Sequence, residues 1–134
     1  MVDDSKAFSS YSIDDIPAAK AFYQGTLGLD VTEQPEGLGL NLATGASVFL
    51  YPKDNHHEPA TFTVLNFPVD DLAAAVDELT GKGVTMERYD GFDQDERGIA
   101  WAPSGPESGV DGIDGPHIAW FKDPAGNVLS VMQI

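Results

Sequence analysis

The chain has 134 residues, 42% of them apolar and 10% aromatic, which suits one domain, or two tightly fused halves sharing a core, and excludes a disordered acidic tail. Seven Lys and Arg stand against 22 Asp and Glu, and the formal charge of -15 would repel a phosphate backbone, so nucleic acid is not an expected partner. There is no cysteine for a disulfide framework, a thiolate metal site or a nucleophile, and neither a signal-peptide pattern nor an apolar run of membrane-spanning length, so the cytoplasm is the expected location and no membrane partner is expected.

An apolar extended stretch leads into Ile13-Asp14-Asp15-Ile16-Pro17-Ala18-Ala19, where an Asp can accept from the free N–H groups of a helix start and Pro17 suits the first turn. The apolar spacing of Ile16, Ala19, Phe22, Tyr23 and Leu27 predicts a helix over about 16–27, stopped by Gly28. Leu29 to Thr32, Leu38 to Ala43 and Ser47 to Tyr51 read as short strands between glycine-containing turns, followed by a linker at about 54–59.

The pattern then repeats. Val69-Asp70-Asp71-Leu72-Ala73-Ala74-Ala75 matches the first motif 56 positions later, which is the signature of an internal duplication. The second half predicts strands at Thr61 to Pro68, Val84 to Arg88, His117 to Lys122 and Val128 to Gln133. Its helix runs from Leu72 to Thr80, with Leu72, Ala75, Val76 and Leu79 as its stripe. A loop of about 90–115, rich in Gly, Pro and Asp, interrupts it, and a loop of that length is usually functional or mobile. Asp123-Pro124-Ala125-Gly126-Asn127 reads as a hairpin loop. If Asp123 faces Asn127, then Phe121 faces Leu129 and Trp120 faces Ser130.

These motifs resemble the vicinal oxygen chelate superfamily, that is, the glyoxalase, bleomycin-resistance and extradiol dioxygenase proteins. The resemblance rests on the duplicated Asp-Asp helix starts, the Ala21-Phe22-Tyr23 then Leu27-Gly28-Leu29 spacing, and Phe121-Lys122-Asp123-Pro124-Ala125-Gly126-Asn127 before the last strand. It implies an α+β fold: two βαβββ modules, about 7–53 and 60–133, forming a curved, mostly antiparallel sheet cup with helices on the outside, as a single domain over 1–134. Lyases, isomerases, dioxygenases and drug-binding proteins share that scaffold, so the resemblance does not select one activity.

In metal-dependent members, four side chains from the two halves grip one divalent ion, usually His, Gln or Glu, so that it can polarise substrate oxygens. The corresponding places here fall on Phe8, Phe49, Val64 and Ser130, and shifting each by one residue brings in no carboxylate or imidazole. No metal and no cofactor are therefore expected. His56-His57-Glu58 is read as a solvated linker or a surface metal contact, and His117 as a structural histidine or a general base. Asp93, Asp95, Glu96 and Arg97 form a charged loop cluster.

Strand alternation places Phe8, Ser10, Phe49, Tyr51, Val64, Asn66, Ile118, Trp120, Ser130 and Met132 on the concave face, and Trp101 is expected to close it from the long loop. Aromatic walls with a few hydroxyl and amide groups suit an apolar or aromatic small molecule. The competing expectations are a lyase or isomerase using Asp93, Glu96 or His117, and an interaction module whose concave face is filled by side chains. A homodimer is expected from the resemblance.

Overall fold

The computed structural model describes residues 2–101 and 117–134, so the part of the long loop from position 102 onward lies outside the described residues. They divide into two compact units: residues 2–59 with 123–127, and residues 60–101 and 117–122 with 128–134. The Asp-Pro-Ala-Gly-Asn turn thus belongs with the first unit, although the strands on either side of it belong with the second.

The first unit runs β1 (Ser9–Ile13), α1 (Ile16–Lys20), β2 (Asp30–Gln34), β3 (Gly37–Asn41) and β4 (Ser47–Pro52), in the sheet order β1-β4-β3-β2. β1 pairs parallel to β4, and the other two pairings are antiparallel. Asp15 caps α1 by accepting from Ala18 N at 3.0 Å, with Pro17 in the first turn, as the sequence predicts. Such a cap contributes about 1 kcal/mol. The helix continues to Thr26 as a wider π-helical turn that carries the buried Tyr23, and Gly28, at φ +73°, ends it. One sheet face is the core: Tyr11, Ile13, Val31, Leu38, Leu40, Val48 and Leu50 are buried, joined by Ala19 and Tyr23. Each such aliphatic side chain removed from water contributes roughly 1.5–3 kcal/mol.

The second unit runs β5 (Thr63–Pro68), α2 (Leu72–Gly81), β6 (His117–Lys122) and β7 (Val128–Gln133), in the order β5-β7-β6, with β5 parallel and β6 antiparallel to β7. Asp71 caps α2 through Ala74 N, and Leu72, Val76 and Leu79 bury its stripe. The helix ends with Gly83 N bonding Thr80 O and Val84 N bonding Leu79 O, both at 3.0 Å. That closure needs the left-handed conformation that Gly83 holds at φ +93°.

The predicted strand at Val84 to Arg88 is corrected: the run makes only an isolated bridge, Met86 to Phe121, with Glu87 N bonding Trp120 O. The cause is Gln94, whose side chain accepts from Tyr89 N and donates to Glu87 O and Gly98 O, satisfying backbone groups that a ladder would otherwise use. Elsewhere the duplicated α+β order of the sequence reading holds. Among the described residues, no helix is long and apolar enough to cross a membrane.

Candidate functional site

The face of the first sheet opposite its core is open. The β1–β4 register sets Ser10 beside Phe49 and Ser12 beside Tyr51, and the β3–β4 register sets Gly39 opposite Phe49. Phe49 and Tyr51 stack with ring centroids 6.4 Å apart and planes at 23°. Phe8, just before β1, is 63% exposed. A concavity of about 300 Å³ lies here, lined by Phe8, Gln34, Gly39, Asn41, Ser47 and Phe49. Gly39 lets the Gln34 amide lie against the sheet, because a Cβ at that position would come within 2.6 Å of Gln34 Nε2. Asn41 Nδ2 donates to Thr32 Oγ1 at 2.9 Å, which fixes its amide and leaves its Oδ1 as an acceptor. Phe8, Ser10, Phe49 and Tyr51 are therefore brought to one face. Gln34, Asn41 and Ser47 join them there, which the sequence did not reveal because their placement depends on the β2–β3–β4 register.

In the second unit, Trp120 faces Ser130 and Ile118 faces Met132, as the hairpin register requires, and the parallel β5–β7 pairing sets Asn66 beside Ser130. Ser130 is fully buried and donates its hydroxyl to Asn66 Oδ1. Val64 lies in an irregularity between the Thr63 and Leu65 registers, so alternation does not set its face. Trp120 is only 9% exposed: Tyr89 meets its ring edge-on at 5.4 Å and Phe92 at 4.9 Å. Burial pushes the Tyr89 phenol up from its ordinary value, with the Glu87 charge adding to the effect, and its shielded hydroxyl has no hydrogen-bond partner among the described residues.

Trp101 lies against His117 at 4.9 Å, not against Trp120, and donates its indole N–H to Asp95 Oδ2 at 2.8 Å. The Ala100–Ile118 bridge explains this, since it sets the next residue opposite His117, one position out of phase with Trp120. Asp95 Oδ1 also accepts from Arg97 N and Ile99 N. Burial works against ionisation of Asp95, yet the bonds from Trp101, Ile99 and Arg97 hold its carboxyl below the usual range. It organises the loop. Glu96 is turned to solvent, its side chain 87% exposed.

The linker histidine His57 is bonded through both ring nitrogens. His57 Nε2 donates to Ala125 O at 2.8 Å, since a carbonyl can only accept, and Nδ1 then accepts from the Ser12 hydroxyl at 2.7 Å in the neutral ring. Both nitrogens hold the turn and β1 together. Beneath them runs a buried chain of polar groups. Tyr23 donates to Asp123 Oδ2 at 2.7 Å, which commits its only proton, so the 2.8 Å contact with Tyr11 is a donation from Tyr11. Asn127 N reaches Asp123 Oδ1, and Asn127 Nδ2 reaches Asp123 Oδ2 and Ser12 O. Burial pushes both phenols well above their ordinary value, so they remain protonated donors.

Among the described residues, no group of three or more His, Cys, Asp or Glu could hold a metal ion.

The family model described as Glyoxalase/Bleomycin resistance protein/Dioxygenase superfamily matches residues 10–131. The chain is similar to the solved structure of an antibiotic-binding protein from a Streptomyces species: 23% identity, 95% of this chain and 94% of that one covered, TM-score 0.59. It is also similar to a glyoxalase/bleomycin resistance protein from Catenulispora acidiphila, at 19% identity, 96% and 97% coverage and TM-score 0.57. A third similar structure, from the mobile metagenome of V. pseudocholerae, has 18% identity, 99% and 97% coverage and TM-score 0.62. At these identities the likeness is one of fold. No curated protein matches the chain.

Proposed function

Because the chain belongs to the glyoxalase, bleomycin resistance and dioxygenase superfamily, we propose that it binds an apolar or aromatic small molecule without a metal, on the open face of the first sheet. The observation that carries this reading is the stacked Phe49–Tyr51 pair and the exposed Phe8 ring beside a concavity edged by the Gln34 and Asn41 amides. Exposed rings supply contact area, while the amides and Ser10 orient polar atoms of the ligand. The antibiotic-binding Streptomyces neighbour supports the same reading.

The donor set does not fit the divalent ion of the metal-dependent members. Phe8, Phe49 and Val64 offer only carbon at the corresponding places, and the Ser130 hydroxyl is bonded to Asn66. The proposed site is confined to the first unit; in the second unit Trp120 is covered by Tyr89 and Phe92 and is not assigned to it. The competing lyase or isomerase finds less support, because Glu96 stands in solvent and His117 is stacked by Trp101, a poor setting for shielded acid–base chemistry.

Titration with acridone, a neutral planar probe carrying one donor and one acceptor, tests the proposal by amide chemical shifts. Saturable shifts at Ser10, Gly39, Asn41 and Phe49 are expected. Shifts confined to other residues would sink the site, and stoichiometric, submicromolar binding of Mn²⁺, Ni²⁺ or Zn²⁺ by calorimetry would sink the metal-free assignment.

A further inference from the structure

We propose that Ser12 and His57 form a nucleophile and general-base pair that takes an acyl group from a neutral aryl ester at the open face of the first sheet. The two residues stand 45 positions apart in the chain, and the Ser12 hydroxyl donates to His57 Nδ1 at 2.7 Å while His57 Nε2 donates to Ala125 O at 2.8 Å. All three belong to the first unit.

A serine hydroxyl is a weak nucleophile until a neighbouring base takes its proton, and a neutral imidazole accepts only at the nitrogen that carries no hydrogen. Here the turn makes that choice. A carbonyl oxygen only accepts, so Ala125 O keeps the hydrogen on Nε2 and leaves the Nδ1 lone pair aimed at Ser12. The turn carrying that carbonyl is itself held by the buried Asp123, which Tyr23 and Asn127 bond. Nucleophile, base and orienting acceptor are thus in the order that acyl transfer uses.

Access separates this pair from a buried structural bond. Tyr11 and Ile13 are buried on the core side of β1, so Ser12 between them lies on the open side, beside the exposed Tyr51. Ser12 and His57 are both half-buried. Ser10, two positions along the same face, is exposed and offers a hydroxyl donor to the ester carbonyl oxygen, and the stacked Tyr51 and Phe49 rings offer the aryl group a surface.

In the reaction, Ser12 Oγ bonds the ester carbonyl carbon as its proton passes to His57 Nδ1. The bond from that carbon to the aryl oxygen then breaks, and the phenol leaves with the proton. Water, deprotonated by the same nitrogen, releases the acid from the acyl-serine and restores the hydroxyl. A neutral carbonyl behind the imidazole stabilises the imidazolium less than a carboxylate does, so the leaving group must be a good one, which selects aryl over alkyl esters. The formal charge of -15 repels anionic substrates and so selects neutral ones. The pair shares the open face with the proposed ligand site but does not need the concavity lined by Gln34 and Asn41, so either assignment can fail without the other.

Two probes on the full chain test the pair: phenylmethanesulfonyl fluoride, whose sulfonyl-serine product does not turn over, located by peptide mapping, and p-nitrophenyl acetate, followed by p-nitrophenolate release. One sulfonyl group on Ser12 is expected. Ser12→Ala should lose that label and slow release about tenfold or more, and His57→Gln, whose amide can still bond Ser12 but is not a base, should slow labelling of Ser12 about a hundredfold. A label confined to residues other than Ser12, or release unchanged in Ser12→Ala, would overturn the proposal. The map of the unaltered chain decides this even where a variant does not fold.

Discussion

Tyr23 and Asp123 stand a hundred residues apart in the chain, yet the Tyr23 hydroxyl donates to Asp123 Oδ2 at 2.7 Å inside the first unit. This bond secures a turn that follows one strand of the second unit and precedes another. Tyr23→Phe would leave a buried carboxylate one donor short and Tyr11 without its acceptor. A loss of about 1.5–3 kcal/mol in urea unfolding is expected, the range for a hydrogen bond to a charged group. A loss below about 0.5 kcal/mol would show that the bond contributes little.

Alkaline pH should act through the same groups. The Tyr11 and Tyr23 phenols are raised above their ordinary value of 10.0 in the folded chain, chiefly by burial. A raised group holds its proton more tightly when folded, so its contribution is complete below pH 10 and is lost as pH climbs beyond it. Unfolding midpoints should therefore be flat below that point, as far as these groups are concerned, and fall above it. The fall should be shallower in Tyr11→Phe, and an equal slope would contradict the assignment.

Acid should loosen the loop around Asp95. Its carboxyl lies below the ordinary 3.8, so its contribution is present above that value and lost as pH falls through the lower folded value. The indole N–H resonance of Trp101, bonded to Asp95, is the readout. It should stay constant from neutral pH to about pH 4 and move only below that, and a midpoint above 4 would be wrong for this geometry.

Two glycines two positions apart in β3 should respond differently to alanine. At Gly37 a Cβ would meet the Leu50 backbone carbonyl oxygen at 2.0 Å, a contact that only backbone movement relieves. A loss of about 3 kcal/mol or more is expected there. At Gly39 the obstacle is the movable end of Gln34, so stability should change by less than about 1 kcal/mol, while acridone binding weakens as the amide is displaced. Unchanged binding in Gly39→Ala would remove Gln34 from the site.

Tyr89→Phe offers the opposite sign. Its shielded hydroxyl has no partner among the described residues, and a buried polar group left unsatisfied costs about 1–3 kcal/mol. Removing it should leave the chain as stable or make it more stable by up to about 1 kcal/mol, with the ring still against Trp120. A clear loss in urea unfolding would mean that the hydroxyl is bonded.

The local code of this chain is legible without coordinates. Asp15 and Asp71 cap the two helices, Gly28 and Gly83 stop them, and the 123–127 turn fixes Trp120 opposite Ser130, because capping, left-handed glycine and hairpin register depend on residues within a few positions of one another. The 56-residue repeat likewise carries the duplicated architecture. Other features depend on partners far apart in sequence. Gln94 takes up the backbone groups that would have made Val84 to Arg88 a strand, and Trp101 falls on the His117 side of β6 by one step of register. His57 becomes a bridge between β1 and the turn instead of a solvated residue. Side-chain hydrogen bonds and burial are settled by which surfaces meet, and only the tertiary structure decides that.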